Sequence, residues 1–203
     1  MRSFLWMAFA AATLCGGCSC GRSHTPSSAI IVESPEDFAP ATTPGATADL
    51  ILGGNKYPVN IRAKKDGDQV TFLLLDHGEV FESETYQSTD KAFSLVNAAD
   101  EKYDPPLPLL KFPMRDVEKW SWSGNMVTGT IARKATATIS TTREPLYLKS
   151  SPHETLKVTV DIGLEANPGK APLWRQLVFW FEPGAGIIKR EFGSASVRQP
   201  TDD

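Results

Sequence analysis

Leu156-Lys157-Val158-Thr159-Val160-Asp161-Ile162 alternates apolar and polar side chains without a break. A β-strand turns successive side chains to opposite faces, so this stretch predicts a strand with one buried face. Residues 173–181 read LWRQLVFWF, with Leu177, Phe179 and Phe181 on one face and Trp174, Val178 and Trp180 on the other. Apolar groups on both faces predict a central strand. Pro183-Gly184-Ala185-Gly186 then turns the chain into 187–192, and Gly184 and Gly186 are expected to take the backbone angles that other residues avoid.

Working outward, the same grammar recurs. Val59, Ile61 and Ala63 alternate with polar neighbours, and Asp66-Gly67 is a hairpin-turn signal. Residues 70–75 (VTFLLL) predict a strand covered on both faces, and Asp76-His77-Gly78 the next turn. Residues 80–87 and 92–96 predict two more strands, the second equally open to a short helix capped by Asp90. Segment 97–119 contains Asp104-Pro105-Pro106-Leu107-Pro108 and reads as a loop or an edge crossing, because proline removes a backbone donor. Trp120-Ser121-Trp122 enters a strand, Gly124-Asn125 reads as a two-residue hairpin turn, and 127–140 carries Ala135, Ala137 and Ile139 on one face. No segment shows a long helical period. The expected fold is all-β: a single strongly curved antiparallel sheet or incomplete barrel of about eight to ten strands, with at most a short helix.

The amino end carries a different message. Arg2 precedes an apolar run, 4–14, too short for the ~20 residues of a spanning helix. It ends in Leu14-Cys15-Gly16-Gly17-Cys18, small residues before a cysteine. This predicts a bacterial lipoprotein signal peptide over 1–17 with Cys18 as the acylated amino terminus. The residues before Cys15 and Cys20 fit such a cut less well, and ordinary soluble secretion is the alternative. The expected location is outside the cytoplasm, lipid-anchored to a bacterial membrane and facing the periplasm or cell exterior. Residues 18–48, rich in Ser, Thr, Pro and Ala, read as a flexible tether. Within it, Ile30-Ile31-Val32 is an apolar island, read as an interaction spot or a docked edge strand. Residues 49–198 form the β-rich domain and 199–203 a tail.

The full chain carries 21 Lys and Arg against 24 Asp and Glu. Loss of Arg2 with the leader moves the net charge from −3 to −4. That mild balance offers no footprint for nucleic acid. The cysteines, Cys15, Cys18 and Cys20, all lie at the leader junction, so neither a disulfide nor a thiol nucleophile is expected in the body, and the cluster has no second pair to complete a zinc site.

From Tyr103 the spacing is familiar. Pro106-Leu107-Pro108-Leu109-Leu110-Lys111-Phe112-Pro113 leads to Trp120-Ser121-Trp122-Ser123-Gly124, and later to Trp180-Phe181-Glu182-Pro183-Gly184-Ala185-Gly186-Ile187-Ile188-Lys189. Over 103–192 the chain resembles the TapB-like group of bacterial exported and lipid-anchored proteins. The resemblance implies a β-rich secreted or lipid-anchored domain and assigns no catalytic residue.

The search for chemistry yields little. His24, His77 and His153 form no zinc-binding spacing, and no nucleophile elbow or phosphate-cradling loop occurs. Asp76-His77 supplies two members of a triad but reads as a solvated hairpin tip. Asp66, Asp68 and the pair Asp100-Glu101 read as surface carboxylates. Trp120, Trp122 and Trp180 read as packing anchors of a curled sheet, with sugar or lipid stacking as the alternative. The expectation is therefore a non-catalytic cell-envelope lipoprotein, without cofactor or metal. Its partners would be the membrane, through the amino-terminal lipid, and an envelope protein or apolar small-molecule ligand. The alternatives are a structural scaffold, favoured by a filled interior, and an envelope hydrolase of glycan or ester, which requires Asp76, His77, Asp104 and Glu182 to converge.

Overall fold

The computed structural model describes residues 30–32, 35, 46–52, 55–115, 117–148, 150–166, 171–193 and 196–197. The leader, Cys18, His24 and the tail at 199–203 lie outside the described residues.

Described strands follow one another as an antiparallel meander. They are β1 (Ile30–Val32), β2 (Ala46–Leu52), β3 (Asn55–Asp66), β4 (Gln69–Asp76), β5 (Glu79–Ser88), β6 (Ala92–Ala98) and β7 (Glu101–Lys111). Then come β8 (Met114–Arg115), β9 (Lys119–Thr128), β10 (Ile131–Leu148), β11 (Ser151–Leu164), β12 (Leu173–Glu182), β13 (Gly186–Phe192) and β14 (Ser196–Val197). The main sheet runs β13-β12-β11-β10-β9-β7-β6-β5-β4-β3-β2, with β14 pairing β12 off this path. It forms a curled half-barrel. The apolar island at 30–32 docks as a strand, pairing β8. The domain's first strand begins at Ala46, inside the stretch read as tether.

The curl is fixed by contacts between distant strands. Adjacent strands lie ~4.8 Å apart, so β12 and β6, five intervals apart in the sheet, would be about 24 Å apart if it were flat. Instead Phe93 of β6 meets Phe181 of β12 edge to face at 5.8 Å. Phe93 also stacks on Tyr86 at 5.3 Å, Tyr86 meets Phe72, and Phe181 lies beside Phe179. This aromatic file crosses the concave side from β4 to β12. Tyr86, Phe93, Leu95, Leu107, Leu109, Leu110, Met114, Ile139, Phe179 and Phe181 are essentially inaccessible to water. The interior is filled by side chains.

The decisive alternation at 156–162 is borne out: Leu156, Val158, Val160 and Ile162 are buried, opposite Phe181, Phe179, Leu177 and Arg175 of β12. The turn glycines behave as expected, with φ near +79° at Gly184 and Gly186 and +59° at Gly67. Residues 92–96 belong to a strand, not a helix.

Two expectations need correction. Segment 97–119 is not a loop, for it contains β7 and β8. Its prolines are tolerated because β7 pairs β9 only from Glu101 to Asp104, and its pairing with β6 slips in register near Leu107 and Pro108. A ladder interrupted there does not require the missing donors. Gly124-Asn125 is not a turn either. Both lie inside β9, and the chain reverses at Gly129-Thr130. Gly124 is needed for close approach, since a Cβ there would stand 2.5 Å from the Asp104 carbonyl oxygen and 2.9 Å from Pro105 Cδ.

Candidate functional site

Because the interior is packed, the accessible chemistry lies on the convex face, and strand register orders it. On β9–β12 the outward positions form cross-strand rows. One row is Ser123, Thr136, Gly163 and Trp174; the next is Ser121, Thr138, Asp161 and Gln176. Six of these eight are hydroxyl, amide or carboxylate side chains, and all eight residues are exposed or half-buried. Gln176 Nε2 donates to Asp161 Oδ1 at 2.9 Å. The Trp174 ring lies against Gly163, where a Cβ would stand 3.2 Å from two ring carbons and 3.6 Å from Thr136 Oγ1. Two shallow recesses adjoin here. One of about 370 Å³ is lined by Ser121, Ser123, Thr138 and Asp161, the other of about 330 Å³ by Lys134, Glu165 and Pro172, and both share Thr136 and Trp174.

The predicted tryptophans serve structure. Trp122 and Trp180 are buried and Trp120 is half-buried. Trp120 Nε1 donates to the Pro108 carbonyl and Trp122 Nε1 to that of Pro105, each at 3.1 Å. Trp180 is roofed by Lys189 at 4.2 Å and Lys157 at 5.5 Å, and its indole donates to Glu144 Oε1. The Lys157 ammonium, donating to Glu144 Oε2 at 2.8 Å, is the main cause holding that carboxyl below the usual range, against a smaller opposing effect of burial.

The candidate catalytic groups do not share partners. Asp76 and His77 pair with each other at 2.7 Å on the β4–β5 turn, where the His77 side chain is 94% exposed. Glu182 Oε1 contacts His153 Nδ1 at 3.0 Å, and Asp104 stands opposite Asn125 in the β7–β9 ladder. Asp68 accepts from Gln87 and is a surface group, as expected. Among the described residues, no group of His, Cys, Asp and Glu is placed to hold a metal ion. No described helix is long and apolar enough to cross a membrane, which says nothing of strands.

Glu101 is the exception to the surface reading of Asp100-Glu101. Its side chain is only 14% exposed, paired with Arg175 of β12, and Tyr103 donates to its Oε2 at 3.2 Å. A second unit of the same design stands on β5. There Glu84 is 1% exposed, faces Arg190 of β13, and accepts from Tyr86 at 2.9 Å. Burial raises the Glu84 carboxyl above its usual range, and the Arg190 charge opposes that rise. Burial likewise raises both tyrosine hydroxyls, helped by the neighbouring carboxylates. The sequence signal was present twice, as Glu-x-Tyr at 84–86 and 101–103, with each Glu sharing its Tyr's face.

Comparison with family models, with curated proteins and with solved structures finds no match to this chain.

Proposed function

We propose that this chain is a non-catalytic cell-envelope lipoprotein, anchored through acylated Cys18, whose β domain acts by contact with a partner. The packed concave side counts against a carrier, since side chains occupy the space an internal apolar ligand would need; a scaffold would share that filled interior, and the polar rows on the convex face are what favour a contact partner. Binding then falls to the convex face of β9–β12. The likeness of 103–192 to the TapB-like group accords with an exported, anchored β body. The buried Glu84 and Glu101 face arginines and serve closure of the sheet, which speaks against their use in hydrolysis.

Metabolic labelling with a fatty acid tests the anchor: the full chain takes up label and Cys18→Ala does not. Label that survives Cys18→Ala overturns the assignment. Native mass spectrometry tests the mode of action, with the protein expected free of co-purified lipid. A stoichiometric lipid adduct would restore the carrier reading, and turnover of an envelope ester or glycan that stops on losing one acidic or imidazole side chain would restore the hydrolase.

A further inference from the structure

The two outer rows on β9–β12 have a composition that selects a ligand class. We propose that this face binds a neutral glycan chain, one pyranose ring lying on Trp174 and neighbouring sugar hydroxyls bonding Ser121, Ser123, Thr136 and Thr138. The proposal rests on the reading that the domain works by contact, and it names what is contacted.

Three observations carry it. First, serine and threonine hydroxyls both donate and accept, as sugar hydroxyls do. The rows contain no lysine or arginine, and the one lysine in the adjoining recess, Lys134, is outnumbered by Glu165 and Asp161, so the face lacks the net positive charge that phosphate or nucleic acid would require; the rows also form no apolar strip of the kind a hydrophobic peptide would require. Second, an aromatic ring beside these polar groups supplies an apolar platform with a polar surround, the pattern of small-ligand sites. Gly163 makes room for it, because any larger residue would press on the ring from below. Third, the two recesses share Thr136 and Trp174, so together they make one furrow running across the strands. Its path from β9 to β12 crosses three strand intervals, about 14 Å, which suits a short run of linked sugars better than a single one.

Isothermal titration of the full-length protein in detergent with cellohexaose, chitohexaose and anionic hexagalacturonate tests this. A saturating isotherm is expected with at least one neutral hexaose. Trp174→Ala should weaken it about tenfold, the scale of one lost aromatic contact with its buried area. Thr138→Val keeps the branched shape and loses only the hydroxyl, so it should weaken binding by a smaller factor with the fold intact, and it decides the matter if Trp174→Ala does not fold. Failure of both neutral hexaoses to saturate at millimolar concentration, equal binding by both variants and the unaltered protein, or preference for hexagalacturonate would each overturn the proposal. None of these results bears on Cys18 labelling or on turnover, so the broader reading fails or stands separately.

Discussion

Arg190 of β13 faces Glu84 of β5, although these strands stand seven intervals apart in the sheet, about 34 Å if it were flat. Arg175 of β12 does the same with Glu101 of β7, four intervals away. Each glutamate is also held by a tyrosine two residues on, Tyr86 and Tyr103. Two Glu-x-Tyr units thus clasp the far side of the same sheet. Apolar burial drives the curl, and these clasps set which strands meet.

Removing Arg190 leaves a buried carboxylate without its counter-charge. Arg190→Met should cost about 3–5 kcal/mol at neutral pH, the scale for breaking a buried pair from one side. The sign with pH follows from Glu84, whose folded pKa is raised by burial. A raised carboxyl contributes stability that is fully present below its unfolded value and lost as pH rises through the folded value. Loss of Arg190 raises the folded value further, so the deficit should shrink as pH falls from neutral toward 4.5. Urea denaturation at several pH values checks this, and a deficit that grows on acidification would contradict it.

Tyr86 and Tyr103 offer a second titration. Burial raises both hydroxyls above the usual value of 10.0. Their contribution is fully present below that value and fades as pH climbs toward the folded values. The tyrosinate absorbance of these two residues should therefore emerge only together with loss of the near-ultraviolet circular dichroism of the fold. In Tyr86→Phe and Tyr103→Phe the late component should shrink.

Glycine substitutions separate crowding from backbone preference. A Cβ at Gly124 would meet the Asp104 carbonyl oxygen at 2.5 Å and the Trp122 ring at 2.6 Å. Neither is the yielding tip of a flexible chain, so Gly124→Ala should destabilise by about 1–3 kcal/mol or more. At Gly67, with φ near +59° and no atom within 4 Å of the added carbon, alanine should cost about 1 kcal/mol from backbone strain alone. Urea midpoints of the two variants should fall in that order.

The strands legible in the sequence were those whose partners impose nothing unusual. Leu156 to Ile162 alternates because one face meets Phe179 and Phe181 and the other meets water. β7 was not legible, because Pro105, Pro106 and Pro108 carry the same local signal in a loop as in a strand whose ladder is interrupted. Gly124-Asn125 misled for a related reason. A glycine that admits a turn and a glycine that admits a neighbouring backbone look alike until Asp104-Pro105 is brought beside it. Glu84 was hidden because its partner lies 106 positions along the chain, at Arg190. The convex rows needed the register itself: Ser123, Thr136, Gly163 and Trp174 belong to four strands and become neighbours only once β9 to β12 are aligned.

The indoles of Trp120 and Trp122 explain how β7 stays joined to β9 beyond Asp104, where the backbone ladder between them ends. Past that point the prolines offer carbonyls without donors. Trp122 Nε1 supplies the hydrogen bond to Pro105 and Trp120 Nε1 that to Pro108. Phenylalanine keeps most of the packing and removes only this donor, so each substitution isolates the bond. Trp122→Phe should cost about 1 kcal/mol, the net worth of one hydrogen bond, because its acceptor residue Pro105 is exposed and water can take the place of the indole. The acceptor of Trp120, Pro108, is half-buried and less open to water, so Trp120→Phe should cost more, about 1–3 kcal/mol. Thermal unfolding of the two variants, with hydrogen exchange of the β7 and β9 amides, reads the difference. Faster exchange confined to these strands is the expected result, and equal losses in the two variants would mean that the indoles act through packing volume rather than through their donors.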